Sequence, residues 1–502
     1  MSLTCKSRTL SFIAALALLL IAGCAVGPNF KRPAVPDASD YTARPLSTTV
    51  TTTNIVGGEA QSFAKGSDIL GDWWTLFHSK PLNELIELSL SNNPGLKAAQ
   101  AALSVARENV LAQRGGYFPN VTASFAASRQ KQSEVLAPTP NYPAVANEFQ
   151  YDLFTPQVSV SYSPDVFGAN RRSMESLKAQ EQGVRFQMIA TYTALTANVV
   201  VTAIQAGAVQ AQIEATRQLI ELNSNMVEIL RYQLTKGYAS RLDVVAQESQ
   251  LAQVTAALPP LLKQSAQLRD LLAVLAGRFP NQAPAEKFEL SSLQLPEEIP
   301  VSLPSQLVAQ RPDVLQAEAN LHAASAQIGI AIANRLPNIT LTADAGSTAL
   351  SFDKLFSSGT GFWGLGAAAT APIFHGGTLL HQERAAKATY IQAAEQYRST
   401  VLTAFQNVAD TLTALEQDAE GLKAAANAAD DAQITLDLSQ RQWHDGYISY
   451  LALLSAEQAY QQARINLVQA QANRYADTAA LFQALGGGWW HRAGLTKDKN
   501  EQ

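Results

Sequence analysis

Cysteine is almost absent: Cys5 and Cys24 are the only two in 502 residues. Cys5 lies in what reads as a leader, so the mature chain keeps one thiol and can form no internal disulfide. The six histidines (78, 322, 375, 381, 444 and 491) are far apart, with no His-Glu-x-x-His and no cysteine pair, which argues against a metal site. Charged residues make up only 16% of the chain, low for a soluble surface. Net charge is −5 with Lys and Arg scattered, a balance that argues against nucleic acid as a partner. No apolar run beyond residue 24 is long enough for a transmembrane helix. There is no Walker-type phosphate loop and no Gly-x-Ser-x-Gly elbow. Ser62-Phe-Ala-Lys65 matches Ser-x-x-Lys but stands alone in a linker. Carboxylates are spread along helix faces, the usual pattern of solvated surface. No catalytic constellation and no cofactor site can be read from these residues. Proline is missing from Asp165 to Leu258 and again after Pro372.

What the chain does have begins with Lys6 and Arg8, ahead of the apolar run Leu10–Ile21 and then Ile21-Ala22-Gly23-Cys24. That order reads as an export signal, residues 1–23. Its end resembles a bacterial lipobox, which implies cleavage after Gly23 and acylation of Cys24. A plain secretory signal with an incidental cysteine is the alternative. Ala25, in place of Asp, favours delivery to the outer membrane by similarity with other lipoproteins. Residues 25–70 are rich in Pro, Thr and Gly and read as an extended tether that buries little. Asp72-Trp-Trp-Thr-Leu-Phe77 supplies apolar anchors, and Pro81–Leu90 reads as a short amphipathic helix.

Two blocks then recur. Pro94–Thr122 aligns without gaps to Pro312–Thr340 at an offset of 218. The stretch Gly237-Tyr-Ala-Ser-Arg-Leu-Asp-Val-Val-Ala-Gln-Glu248 returns as Gly446-Tyr-Ile-Ser-Tyr-Leu-Ala-Leu-Leu-Ser-Ala-Glu457 at an offset of 209. Two ungapped blocks in one order indicate an internal duplication. The chain divides into a tether and equatorial segment (24–80), a first repeat (81–290), a second repeat (291–490) and a polar tail (491–502). Each Gly-Tyr-x-Ser stretch interrupts a long helical pattern and restarts it, with Ser240 and Ser449 as N-caps.

After Pro119 and Pro337 the period changes to two. Val121, Phe125 and Ala127 alternate with Thr122, Ser124 and Ser128, and Gln157–Ser163 alternates strictly. Ile339, Leu341 and Ala343 oppose Thr340, Thr342 and Asp344, while Trp363, Leu365, Ala367 and Ala369 oppose Gly364 and Gly366. Two-faced strands suit a half-buried sheet, such as a soluble sandwich, or a membrane barrel wall, and the export signal favours the wall. Four strands cannot close a barrel, because single-chain barrels start at about eight. An open edge in hydrocarbon leaves backbone groups unpaired, so the strands are expected to be lent to a shared barrel.

The proline-free stretches are rich in Ala and Gln. Ile220, Asn223, Val227, Leu230 and Leu234 follow coiled-coil-like spacing, as do Leu451, Leu454, Ile465, Val468, Ala472 and Tyr475. A helix from about 168 to 235 would be roughly 100 Å long. Its return from 242 to about 276 is expected to be interrupted and kinked at Pro259-Pro260. The second copy repeats the plan with 378–443 and 451–485.

Taken together, Cys24-Ala-Val-Gly-Pro-Asn-Phe-Lys-Arg-Pro33, Trp73-Trp-Thr-Leu-Phe77, Leu258-Pro-Pro260, Leu303-Pro-Ser-Gln-Leu-Val-Ala-Gln-Arg-Pro-Asp-Val314 and both Gly-Tyr-x-Ser turns resemble the TolC/OprM-type outer-membrane efflux lipoproteins, in their NodT-like branch. The resemblance implies an α+β membrane protein. In it, a homotrimer shares a 12-stranded outer-membrane β-barrel continuous with a long periplasmic α-helical barrel. It implies a passive exit duct, not an enzyme, docked to a periplasmic adaptor and an inner-membrane, proton-driven RND-type pump. No cofactor is implied beyond the covalent lipid on Cys24. The adaptor-docking tip maps onto Gly237, Tyr238, Ser240, Leu242, Gly446, Tyr447, Ser449 and Leu451, with the glycines letting backbones approach closely. Some members carry aspartates at positions matching Ala452 and Ser455. Here only Asp243 keeps a carboxylate nearby, so the candidate gate is Asp243 with hydrophobic closure by Leu451, Leu454 or Tyr447. A type I protein secretion duct, a non-channel coiled-coil envelope lipoprotein and an envelope enzyme remain as alternatives.

Overall fold

The computed structural model describes residues 25–44, 47–132, 149–283 and 288–496. Cys24, and with it the lipidation assignment, lies outside the described residues. Helices α1 (Lys80–Asn92) and α2 (Pro94–Arg114) precede strands β2 (Asn120–Gln132) and β3 (Phe149–Tyr162). Helix α3 (Ala169–Lys236) and its return α4 (Arg241–Leu275) complete the first half. The second half follows with α5 (Pro304–Gln310), α6 (Pro312–Ala333), β5 (Asn338–Ser347), β6 (Gly361–Thr370), α7 (Thr378–His444) and α8 (Tyr450–Ala484). Two short strands, β1 (Ser62–Lys65) and β4 (Glu298–Val301), pair in parallel. The chain forms two compact units, and each draws on both halves. One contains residues up to Arg32, Ser104–Gln182 and Ala319–Glu395, and the other contains Pro33–Leu103, Gly183–Glu318 and the chain from Gln396.

In the first unit the four long strands form one antiparallel sheet in the order β2-β3-β5-β6. Its register sorts most side chains by polarity, with Leu153 and Phe362 on the polar face and Arg129 and Asp152 on the apolar face among the exceptions. Val121, Val160, Ala343 and Leu365 form one row across the sheet, and Ala123, Val158, Ala345 and Trp363 form the next. The opposite face carries Thr122, Ser159, Asp344 and Gly364 in one such row. On that face Gln157 Nε2 donates to Asp344 Oδ1 (3.1 Å) and to Ser159 Oγ (2.7 Å). A period of two in each strand thus becomes an apolar and a polar face of the whole sheet. Residues 120–131 of β2 are exposed throughout, and Trp363 and Leu365 of β6 remain 77% and 78% exposed.

The segment after position 24 is not a loose tether. In the first unit the guanidinium of Arg172 donates to the carbonyls of Val26 (3.0 Å) and Gly27 (3.2 Å) and to Asn29 Oδ1 (2.9 Å). Phe30 stacks on His322 at 4.3 Å. Gly27 passes so close to Gly329 that a Cβ would lie 2.5 Å from its Cα. In the second unit Gln61 is fully buried and bonded to Pro296 O and Thr478 Oγ1, both at 3.2 Å. Buried Arg474 donates to the carbonyls of Glu59 (2.7 Å), Gly57 (3.3 Å) and Leu415 (3.5 Å). Low hydrophobicity misleads here because small residues let the backbone itself lie against helices. The carbonyls, not side chains, then make the contacts.

Other family-like motifs are structural as well. Trp73 stacks on Phe482 at 5.1 Å, and Trp73, Trp74 and Phe77 are buried. Arg311 grips Asp313 through two bonds (2.6 and 3.0 Å) and donates to Ala484 O (2.8 Å), a carbonyl of the last turn of α8. Helix α4 runs uninterrupted through Pro259 and Pro260. Leu258 and Leu261 beside them pack against Val209 and Ile213 of α3, and this packing offsets the lost backbone bonds.

Replacing Arg474 with Met should strip two buried carbonyls and one partly buried carbonyl of their donor and cost on the order of 3 kcal/mol. Limited proteolysis should then cut within residues 50–60 at rates the wild type does not show. Unchanged cleavage would mean that the strap is held elsewhere.

Candidate functional site

Both Gly-Tyr-x-Ser stretches lie in the second unit, each closing one long helix and opening its return. Gly237 adopts φ +77° and Gly446 φ +82°. The N–H of Tyr238 donates to Gln233 O (2.9 Å) and that of Gly237 to Leu234 O (3.1 Å). Tyr447 and Gly446 repeat the pattern with Gln442 O (2.8 Å) and Trp443 O (3.0 Å). This is the Schellman ending, which requires a left-handed residue and so selects glycine. Nothing approaches within 4 Å of a Cβ built on either glycine. Within the chain, then, these glycines are set by backbone conformation and not by close approach.

The restarts differ between copies. Ser240 Oγ accepts from the Asp243 N–H (3.2 Å), while Asp243 Oδ2 accepts from the N–H (2.9 Å) and the hydroxyl (2.7 Å) of Ser240. Asp243 is therefore engaged in a capping box. In the second copy Ser449 Oγ accepts from the Ala452 N–H at 3.4 Å, and Ala452 offers nothing in return. Ser455 donates to the Leu451 carbonyl (3.0 Å) of its own helix.

A buried cluster joins the two turns. Met226 and Leu230 of α3, Val244 of α4, Leu436 of α7 and Tyr450 and Leu453 of α8 form it, with Leu454 packed at its border. Ser449 sets the phase of α8 so that Tyr450, Leu453 and Ala456 face inward. Leu451, placed on the seam by its spacing, instead points out at 54% exposure. Leu234 is likewise exposed and Ile220 only half-buried, while Leu219, Asn223, Met226, Val227 and Leu230 are buried. The outer surface of the turns thus presents Tyr238, Leu242, Tyr447 and Leu451, with both tyrosines more than 80% exposed. Farther along, a cleft of about 240 Å³ opens between α3, α7 and α8, lined by Leu219, Leu222, Leu436 and Tyr460.

One carboxylate here departs from the solvated-surface pattern of the helix faces. Glu457 is 2% exposed, and among the described residues neither carboxylate oxygen is held by a well-formed hydrogen bond. Burial pushes its carboxyl up to about 7, with Gln247 of α4 partly opposing the shift. At the equivalent position of the first copy, Glu248 pairs with Arg231 (2.6 Å) at the surface. The residue matching Arg231 is Gln440. An identical glutamate whose cationic partner is replaced was the available signal. Asp418 on α7 shows the same direction, raised to about 7 by burial and by Asp477.

Comparison with known proteins bears on this geometry. The profile of the family described as "Outer membrane efflux protein" matches residues 85–278 and 303–487. The chain is 29% identical to the probable efflux pump outer membrane protein TtgC of Pseudomonas putida over 484 residues, 96% of each chain. It is 28% identical to the outer membrane protein OprJ of Pseudomonas aeruginosa, covering 95% of each. The solved outer-membrane channel OprN superposes with a TM-score of 0.80 at 25% identity, over 93% of this chain and all of that one.

The ionisation of Glu457 has a defined sign. Its folded value lies above the ordinary 4.5, so ionisation costs the folded state. That cost is absent below pH 4.5, grows between 4.5 and 7, and is constant above. Glu457→Gln should therefore gain stability over wild type at pH 8, on the order of 3 kcal/mol at most, and little at pH 4.5. Urea denaturation followed by helical circular dichroism at both pH values checks this. A pH-independent difference would remove ionisation as the cause.

Proposed function

Because the chain belongs to the outer membrane efflux protein family, we propose that three copies join their four-stranded sheets edge to edge into a twelve-stranded barrel through the outer membrane. The observation that carries this reading is the sheet register. Where β3, β5 and β6 meet, one face is apolar apart from Tyr162 and the other polar or small apart from Phe362, and among the described residues β2 and β6 end in unpaired edges. Lipid accepts the first face, a water-filled lumen the second, and neighbouring copies satisfy the edges.

The chain is the outer-membrane exit duct of an efflux system. In this reading it is a passive conduit and not an enzyme, and transport energy comes from an inner-membrane pump of the RND type reached through a periplasmic adaptor. An acyl group on Cys24 would tie the chain to lipid, and the Arg172 clamp would fix the segment that follows. The two Schellman turns supply the adaptor surface: Gly237 and Gly446 shape it, Ser240 and Ser449 cap it, and Tyr238, Leu242, Tyr447 and Leu451 are its apolar contacts. Their exposure supports docking, because four large apolar side chains in water are costly unless covered. Closure rests on Leu451 and Leu454 of the second copy. Asp243 contributes less to it, since its carboxylate is already bonded to Ser240.

Two measurements test this. The purified protein in planar bilayers should show single-channel conductance and heat-modifiable β-structure; a non-conducting, heat-insensitive preparation would exclude the duct. Gly446→Trp should abolish export while assembly persists, and Gly446→Asn, which tolerates the left-handed turn, should retain most export. Equal drug susceptibility of Gly446→Trp and wild type in a strain dependent on this duct would remove the turn from the docking surface.

A further inference from the structure

The β5–β6 connection, residues 348–360, folds onto the apolar face of the sheet. Phe352 packs edge-on against Phe125 (6.3 Å) and Phe154 (6.0 Å). Both of these belong to the apolar face by register, Phe125 opposite Pro156 and Phe154 opposite Ala127. The connection is pinned in place. Ala349 and Phe154 exchange two backbone hydrogen bonds (2.9 and 3.1 Å), and Thr155 bonds Thr348 side chain to side chain at 3.2 Å. Ser347 bonds Thr360 (2.8 Å), Thr360 donates to Leu355 O (3.0 Å), and Leu355 is buried.

Between this connection and the sheet lies an open pocket of about 450 Å³. Its floor is Ala123, Pro156, Val158 and Ala345, and Phe356, 84% exposed, stands on its rim. The hollow exists because small residues occupy the row that Trp363 ends, next to a row of Val121, Val160 and Leu365. Cationic groups stand at the same end of the sheet. Lys354 is exposed between Phe352 and Phe356, beside exposed Asp353. Arg129, near the end of β2, faces Asp152 at 3.8 Å, and Lys131 follows it on the same face.

We propose that this pocket binds one acyl chain of a phosphorylated glycolipid of the outer leaflet, with Lys354 and Arg129 facing its phosphates. This rests on the reading of the apolar face as lipid-facing. Three features favour that occupant. The floor is continuous with the lipid-facing wall, so an acyl chain enters it without crossing water. Aromatic side chains at the rim match the interfacial belt of membrane barrels. The β5–β6 connection lies at the strand ends remote from α6, where Lys354, Arg129 and Lys131 outnumber Asp152 and Asp353, a balance complementary to phosphate.

The test is native mass spectrometry of the full-length protein extracted from outer membranes in mild detergent. Wild type should retain the glycolipid. Ala345→Trp, which fills the floor, should lower the retained fraction at least five-fold, and so should Phe356→Ser on the exposed rim, which leaves the sheet untouched. Lys354→Glu should lower it several-fold. Equal retention by wild type and both pocket variants would overturn the assignment, as would retention of phospholipid in place of glycolipid. Heat-modifiable mobility of each preparation separates the two levels: its loss in wild type refutes the barrel, whereas its persistence with no bound glycolipid refutes the pocket alone.

Discussion

Everything in this chain depends on a sheet that cannot finish itself. Four strands give an apolar face, a polar face and two open edges, and among the described residues nothing covers β2 along its outer edge. In water such a sheet would aggregate through its edges. In hydrocarbon, every unpaired N–H or C=O would cost several kcal/mol. In the proposed arrangement, closure with further copies satisfies face and edge together, so oligomerisation would follow from hydrogen bonding. Duplication halves the problem, because each repeat contributes one hairpin and β3–β5 pairing joins them.

The same duplication allows the two helix turns to diverge. Their backbones are the same, since the Schellman ending fixes Gly237 and Gly446 by conformation. Their chemistry is not. The first copy spends its carboxylates at the surface, Asp243 on Ser240 and Glu248 on Arg231. The second keeps one glutamate buried next to Ala456 of the cluster that holds both turns together, with no cation beside it among the described residues. A buried unpaired carboxylate is a poor stabiliser, so its retention marks the side of the tip where the packing is easiest to disturb.

How far the residues alone disclosed this arrangement varied with the physics. Periods of two and of 3.6 located both long helices and three of the long strands to within a few residues, because burial on one face leaves a periodic trace. By contrast, β3 begins at Phe149, well before the alternation of Gln157–Ser163. Phase was less accessible. Leu451 and Leu454 share the spacing of a seam, but Ser449 starts the helix so that Leu453 takes the inner position. The tether was misjudged for a different reason. Its contacts run through backbone carbonyls to Arg172 and Arg474, and carbonyls leave no signature in composition. Pro259-Pro260 marked a break that packing by Leu258 and Leu261 repairs. Glu457 was legible only by comparing copies, through the exchange of Arg231 for Gln440.

The exposed aromatic and aliphatic residues sort by the same logic. On the sheet, Trp363, Leu365 and Phe125 lie in rows that continue across strands, so a fluid apolar solvent suffices to cover them. At the turns, Tyr238, Leu242, Tyr447 and Leu451 stand on two separate helix ends with polar neighbours, a surface too small and too interrupted for lipid. In the proposed reading a protein partner with matching ridges buries it. Exposure in an isolated chain thus carries two meanings, and the continuity of the pattern decides between membrane and protein.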